Sequence, residues 1–523
     1  MLNGSKSVYH FQLLCYLCHS KEKFLGEDEV VNMRDLQLEF ISNRTTKRLF
    51  RVLSVMERDR LFTIGEMAEK MQVTQRTIAN DLKYVKDYFG DCITLISGYS
   101  GFLFKEKKPS VYQEKKHELL ENECLFEIIG HIFQGKLMDI DELAHHYHFS
   151  ESTFRRLLGQ SNKILSSYRL KWVSNPLTIE GSEADLRKFF KDFYYEGIDT
   201  AHTLVADPAL HELVLTQLNN KLGQYDIGSG TTPAAFYYTF FIAIKRASLD
   251  FPITVPKYLI ELAYKGKSFS LLYSLKDGIE KLFGVELAKE EFAWIYLVTI
   301  CKRTLDREAS EEKFYQQFHQ GSEIAKLTEV YLQEFELTNE SYAKIKIFLQ
   351  SFFLSRKLNY ALAPALNKEA QDIKESLMRS DNENYQRNLR FLKKHQRKDF
   401  LAAPYLEDIC VSLTIYSDLI FDFYSPTKRI YFLLEGDHFI CQQIRTRAMQ
   451  QFGTKHTLTF LPLQHLTQEI LNADHIDLIV TNYNRYLLDY IIETDYLLLK
   501  AVPDEHDWRN LERKIDPYRK PFL

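Results

Sequence analysis

Nowhere in these 523 residues do 18 consecutive apolar side chains occur, so the sequence offers no membrane-spanning helix. The first 20 residues lack an apolar core followed by a small-residue cleavage site, which argues against a secretory signal. Cysteine is sparse and scattered, seven in all, which fits a reducing compartment better than a disulfide framework. Together these absences make the cytoplasm the expected location, with no membrane partner. Positive charge is also short: 67 Lys and Arg stand against 71 Asp and Glu, a net of −4. Any affinity for nucleic acid must therefore come from a local patch.

What is present describes ordinary globular material. Hydrophobic residues make up 45% of the chain and charged residues 26%, and 37 Phe with 31 Tyr argue against long disordered tracts. A chain of this length is expected to hold several domains. "CYLCHS" sets Cys15, Cys18 and His19 at the spacing of covalent haem attachment, but without further ligands or export; helical packing accounts better for these thiols. Residues 1–32 precede Met33, a plausible second initiator, and read as an extension or a short helical preface.

The informative feature is an internal repeat. "IGEMAEKMQVTQRTIANDL" (64–82) and "IDELAHHYHFSESTFRRLL" (140–158) align without a gap at an offset of 76. Each position has a physical reason in a helix-turn-helix. Ala68 and Ala144 let two short helices approach. Val73 or Phe149 plugs the turn, and Thr74 or Ser150 caps the second helix. Ile78 and Leu82, or Phe154 and Leu158, hold that helix down. The residues expected to face DNA are Thr74, Gln75, Arg76, Thr77, Asn80 and Lys83 in the first copy. In the second they are Ser150, Glu151, Ser152, Arg155 and Arg156. Such side chains suit base edges and phosphates.

Each copy precedes a candidate hairpin wing. "CITLISGYSGFLFK" (92–105) alternates around "SGYSG", and "LKWVSNPLTIEG" (170–181) carries two short apolar runs around Ser174, Asn175 and Pro176. Residues 43–109 hold 13 Lys/Arg against 8 Asp/Glu, a net of +5, whereas 110–196 hold 11 against 14, a net of −3. The first module is thus the expected DNA contact, and the second either helps or packs. "HHYH" (145–148) places His145 and His148 three apart, but on the exposed side of the first helix, where solvated residues belong; no metal site is expected.

The middle of the chain, from about 200 to 423, reads as all-helical. "FYYTFFIAIKRASLDFPI" (236–253) and "IKIFLQSFFLSRKLNYAL" (345–362) look related, with Arg246 and Arg356 at an offset of 110. Each is followed by another apolar helix, "EEFAWIYLVTICKR" (290–303) or "YLEDICVSLTIYSDLI" (405–420), which suggests two related bundles. "RSDNENYQRN" (379–388) reads as a polar loop. The last hundred residues alternate strands (429–436, 456–463, 476–483, 495–502) with helices (437–452, 464–473, 504–515), as in a small parallel-sheet α/β domain. Its first strand ends in "LEGDHF", where Glu435 and Asp437 would repel phosphate, Cys441 lies too far into the helix for a nucleophile, and His438 reads as a surface residue. No catalytic residue and no cofactor are expected.

Two winged helices, two bundles and a terminal α/β domain resemble the Mga/AtxA-like virulence regulators of Gram-positive bacteria. The resemblance covers about 33–523 and is strongest at the two helix-turn-helix motifs. It implies a multidomain, mainly α chain: an extension over 1–42, winged helices over 43–109 and 110–197, and regulatory bundles over 198–310 and 311–423. An α/β domain similar to the EIIB phosphocarrier completes it over 424–523. It further implies a transcriptional regulator of promoter DNA. Its bundles would resemble domains phosphorylated on histidine by the sugar phosphotransferase system, and its C-terminal domain would drive homodimers or higher oligomers. The sequence departs from that pattern: Thr239 and Leu349 stand where histidines are expected, as do residues near Thr299 and Thr414. His202, His211, His319 and His395 remain as candidate phosphorylation sites, and phosphotransferase proteins as candidate partners. An RNA-binding antiterminator or a phosphocarrier are the competing readings. The winged helices argue against the first, and the absent cysteine after strand one against the second.

Overall fold

The computed structural model describes residues 35–515, apart from 196, 198–199, 201, 219–228, 306, 336, 338, 370–372, 375–376, 378–382, 397–399, 402, 425, 462–466, 472–474 and 490–492. Cys15, Cys18, His19 and the extension before Met33 lie outside the described residues. The chain is mainly α-helical and divides into two compact units, one of residues 1–331 with 347–414 and one of 332–346 with 415–523.

The first unit opens with α1 (Asp35–Leu38) and α2 (Arg44–Asp59). Then come β1 (Leu61–Phe62), α3 (Ile64–Met71), α4 (Gln75–Phe89), β2 (Ile93–Gly98) and β3 (Gly101–Glu106). The strands form an antiparallel sheet in the order β1-β3-β2, so the hairpin gains a third strand that spacing alone had not indicated. Gly101 sits where that strand crosses: its φ is +123°, and a Cβ would lie 2.4 Å from the Phe62 carbonyl oxygen. Val52, Met56, Met67, Ile78, Val85 and Phe89 are among the side chains of one buried core beneath these elements.

A second set repeats the plan. α5 (Pro109–Glu118) and α6 (Cys124–Phe133) precede α7 (Ile140–His146), α8 (Glu151–Gln160) and α9 (Asn162–Ser167). The hairpin β4 (Lys171–Ser174) with β5 (Leu177–Glu180) follows, and α10 (Glu183–Tyr195) closes the set. Here the third strand shrinks to one bridge, Met138 with Leu177, and Met138 is 76 residues beyond Phe62.

The helices after α10 are α11 (Pro208–Leu218), α12 (Pro233–Ala247), α13 (Lys257–Tyr264), α14 (Lys267–Tyr273), α15 (Lys276–Phe283) and α16 (Lys289–Ile300). Then come α17 (Glu308–Phe318), α18 (Glu323–Leu332), α19 (Asn339–Leu362), α20 (Glu383–Lys394) and α21 (Leu406–Tyr424). α12 stops earlier than the apolar run over 236–253 suggested. Asp250 turns left-handed at φ 61°, the Phe251 amide bonds back to the Arg246 carbonyl at 3.1 Å, and Pro252 cannot extend a helix.

The polar loop expected over 379–388 is corrected in its second half. Residues 379–382 lie outside the described residues, but 383–388 begin α20. Tyr385, Asn388, Phe391 and Leu392 face inward at helical spacing. Asn388 is tolerated there because it is satisfied: its amide donates to Thr414 Oγ1 at 3.0 Å, and Tyr331 Oη donates to its carbonyl oxygen at 2.9 Å.

Buried ion pairs tie α10 to the helices of the middle region. Arg187 donates to both Glu291 oxygens at 2.5 and 3.0 Å, and Arg246 donates to both Glu183 oxygens at 2.9 and 2.7 Å. The Arg187 and Glu291 side chains are only 3% and 2% exposed, so neither charge has water as an alternative partner.

In the second unit β6 (Arg429–Leu433), α22 (His438–Phe452), β7 (Thr457–Phe460), α23 (Gln468–Leu471), β8 (Leu478–Thr481), α24 (Asn484–Asp489), β9 (Tyr496–Leu498) and α25 (Glu505–Ile515) alternate. The strands are parallel in the order β7-β6-β8-β9. Ile430 and Phe432 share a core with Ile444, Phe452, Trp508 and Leu511, while Leu433 and Ile479 pack on the other face. β8 is buried along its length, as a central parallel strand requires. The strands are shorter than the apolar runs that marked them; of the helix expected over 464–473, residues 464–466 and 472–473 lie outside the described residues.

Candidate nucleic-acid interface

The second helix of the first helix-turn-helix copy is α4, and its geometry begins at the turn before it. Thr63 and Glu66 form a capping box at the start of α3. Gln72 then adopts φ 53°, which lets the Val73 amide bond back to the Ala68 carbonyl at 3.0 Å. Thr74 caps α4: its hydroxyl accepts from the Thr77 amide at 3.2 Å and lies 3.0 Å from the Thr77 hydroxyl.

The turn and the cap of the second helix recur 76 residues later, with a simple N-cap in place of the capping box. Asp139 caps α7, and His148 takes φ 59°. The Phe149 amide bonds to the Ala144 carbonyl at 2.8 Å, and Ser150 Oγ accepts from the Thr153 amide at 3.3 Å. Ala68 and Ala144 are both buried, as are Ile78, Leu82, Phe154 and Leu158. From 74 to 84 and from 150 to 160 the order of exposed, half-buried and buried residues is the same at every position. His148 therefore lies past the end of α7, in the left-handed turn, and not beside His145 on one helical face as its spacing suggested. Among the described residues no group of three or more His, Cys, Asp or Glu is placed to hold a metal ion.

Gln75, Arg76, Asn80 and Lys83 are exposed, with Thr74; Thr77 is half-buried because it shares the cap. Arg76 and Lys83, together with Lys86, Lys105 and Lys107, make no ion pair with any described residue. Among the described residues that leaves a surplus of positive charge on α4 and the wing. Inward, Asp81 accepts from Arg48 of α2 in a bidentate pair at 2.7 and 3.0 Å, locking α4 to its own domain. The same hydrogen bonds push the Arg48 pKa up.

Two further candidates escaped the sequence reading. Tyr99 stands at the wing tip with 114% relative exposure, and Lys105 lies on β3. The hairpin signal "SGYSG" marked the turn, but nothing in it said that the ring would be left in water.

The second copy presents less charge. Glu151 and Ser152 are exposed with Arg155 and Arg156, but Arg155 is tied to Glu151 at 2.5 Å. On its wing Lys171 pairs with Glu180 at 2.9 Å. Arg156 has no ion-pair partner among the described residues.

The four candidate histidines lie apart from one another along the chain. His202 Nε2–H donates to the Glu121 carbonyl at 2.8 Å, while His211 is exposed and packs on Tyr237. His319 and His395 donate through Nδ1 to Tyr315 and Phe391 carbonyls at 3.0 and 2.9 Å. A carbonyl only accepts, so these bonds fix the tautomer and leave the other ring nitrogen as the basic one. At the positions where the resemblance expected histidines, Thr239, Leu349 and Thr414 are buried, and Thr299 donates to the Ile295 carbonyl.

In the α/β domain the N-terminus of α22 is already occupied. Asp437 accepts from the Phe439 and Ile440 amides at 2.9 and 3.2 Å, so the chain's own carboxylate fills the position an oxyanion would take. Burial, with Glu435 and Asp437 nearby, pushes the Cys441 thiol up and away from its reactive form.

Comparison with known proteins places this architecture. The family model described as the Mga helix-turn-helix domain matches residues 111–194, the second of the two copies. The chain is 19% identical over 498 residues to a Bacillus anthracis protein named capsule synthesis positive regulator AcpB, covering 90% of this chain and 98% of that one. Both matches make the chain similar to the Mga/AtxA-like regulators. The chain is also 27% identical over 165 residues to a putative trans-acting regulator of Streptococcus pneumoniae, covering 31% of this chain. That match spans 32% of the pneumococcal protein's length. A third relative, the anthrax toxin expression trans-acting positive regulator of Bacillus anthracis, is 23% identical over 251 residues, covering 47% and 52% of the two chains. No helix among the described residues is long and apolar enough to cross a membrane.

Proposed function

We propose that this chain is a transcriptional regulator that binds double-stranded promoter DNA through its two N-terminal winged helices, with α4 as the principal reader. The observation that carries this is the recurrence of one helix-turn-helix in which Gln75, Arg76, Asn80 and Lys83 stay exposed while the apolar positions are buried. α8 is the weaker contact, because Glu151 answers Arg155. The middle bundles set activity, with His202, His211, His319 and His395 as candidate sites for phosphotransferase proteins. The α/β domain brings copies together. Asp437 at the N-terminus of α22 favours a binding protein over a phosphocarrier or enzyme. Acting on promoter DNA, it would work in the cytoplasm.

The test is genome-wide mapping of DNA bound by the chain in its native cell, repeated with Arg76→Ala. Discrete enriched sites that weaken in the variant are expected. No enrichment with the unaltered chain would sink the reading.

A further inference from the structure

A groove of about 540 Å³ opens within the first unit, where the second winged helix meets the helices of the middle region. That volume lies in the range of small-molecule sites. Its walls come from distant parts of the chain: the turn after α9, the start of α10, α13, the end of α19 with the residues just after it, and Phe400.

The backbone brings two opposite charges side by side there. Arg169 takes φ 63° just after α9, and a Cβ on Gly181 would lie 3.2 Å from the Arg169 carbonyl oxygen. This close passage sets Arg169 beside the start of α10. Here the Ser182 hydroxyl accepts from the Asp185 amide at 3.1 Å and donates to Asp185 Oδ2 at 2.8 Å. The other carboxylate oxygen, Oδ1, is buried without a hydrogen-bond partner, and Asp185 as a whole is 2% exposed. Burial pushes its carboxyl pKa up, while the Ser182 hydroxyl, the Arg169 charge and the Ala365 amide pull the other way. A buried carboxylate oxygen is costly unless a donor meets it.

Arg169 is exposed and makes no ion pair with any described residue, Asp185 included. Lys357 also lines the groove, but Glu323 answers it at 3.2 Å. The charges left to a ligand are therefore one of each sign. A simple cation would be repelled by Arg169 and a simple anion by Asp185; a group that carries both charges close together suits the pair.

An α-amino acid has such a head. Its ammonium supplies N–H donors to a carboxylate, and its own carboxylate accepts the fork of a guanidinium. Beyond the head, Tyr258, Tyr360 and Phe400 stand with Leu362 along the rest of the wall. Aromatic rings and an aliphatic side chain suit a flat apolar group.

We propose that this groove binds a free α-amino acid with an aromatic side chain, its ammonium on Asp185, its carboxylate on Arg169 and its ring among Tyr258, Tyr360 and Phe400. Such a ligand would bridge α10 of the second winged helix to α13 and α19, and so favour the arrangement in which that module is docked. This regulatory consequence rests on the function proposed above; the binding does not.

The test is calorimetric titration and thermal denaturation of the full-length chain with L-phenylalanine, L-tyrosine and L-tryptophan, beside 3-phenylpropionate, 2-phenylethylamine and glycine. Near a hundredfold excess over Kd, at least one aromatic amino acid should raise Tm by about 2 °C or more. The propionate lacks the ammonium, the amine lacks the carboxylate and glycine lacks the ring. Each should bind at least about tenfold more weakly than the best amino acid.

Asp185→Asn and Arg169→Gln should each weaken Kd at least about tenfold. Arg169 is exposed, so its variant keeps the test open if Asp185→Asn fails to fold. No response to any of the three amino acids, or undiminished binding by a folded Arg169→Gln variant, overturns the site. So does binding of the propionate, the amine or glycine as tight as that of the best amino acid. Failure to find bound promoters would remove the regulatory consequence and leave these titrations standing.

Discussion

Neighbouring side chains on α4 do opposite work. Asn80 is exposed, whereas Asp81 turns inward to Arg48. Arg76 and Lys83 carry the charge expected to meet phosphates or base edges. Replacing either with alanine should weaken DNA binding about tenfold and lower the slope of log K against log salt by about one. Fluorescence anisotropy across a salt series measures both, and an unchanged slope would remove that residue from the contact. Asp81→Ala should behave differently, since it strips Arg48 of its partner and should lower stability by about 1.5–3 kcal/mol. Chemical denaturation reads that loss; a variant as stable as the parent would show the pair to be incidental. The roles of Thr74, Ile78 and Leu82 were legible in the sequence, because cap and stripe are local patterns. The Asp81–Arg48 pair was not, because its partner lies 33 residues away and a polar residue at that spacing also suits solvent.

Whole elements were legible where their periodicity was uninterrupted. α4 and α8 declared themselves through the repeat, and β6 and β8 through short apolar runs. α20 was obscured because inward-facing Asn384 and Asn388 break the apolar stripe, and only a long-range partner such as Thr414 makes such burial tolerable. The third strand of the wing was hidden because two residues carry no period at all. The junction of α10 with α16 rests on another long-range pair, Arg187 with Glu291, and yields an element-scale prediction. Arg187→Ala leaves Glu291 buried without its charge partner and should cost about 3–5 kcal/mol. Arg187→Met with Glu291→Met removes both charges and should recover most of that loss. Calorimetry of the two variants decides; if the double variant is no more stable than the single one, the pair contributes more than mutual neutralisation.

At the scale of the molecule, the order of modules was legible because each has its own composition: a basic N-terminal segment, aromatic-rich helices, then alternating strands. The contacts between modules were not, since Arg187 and Glu291 are 104 residues apart and meet only through tertiary packing. If both winged helices contact DNA as proposed, they would gain from a second chain, because linked contacts multiply effective concentration. The α/β domain offers a surface for that. β9 is an edge strand whose Tyr496 and Leu498, two residues apart on one face, are 47% and 42% exposed. An exposed apolar edge is a template for pairing with another chain. Tyr496→Lys with Leu498→Lys should therefore convert a self-associated species to monomer in sedimentation velocity, with Tm little changed. DNA affinity should fall with it, by about 10²-fold or more where both copies engage one site. A parent chain that sediments as a monomer at micromolar concentration would exclude this edge as the source of avidity. A variant that still dimerises would move the interface elsewhere on the chain.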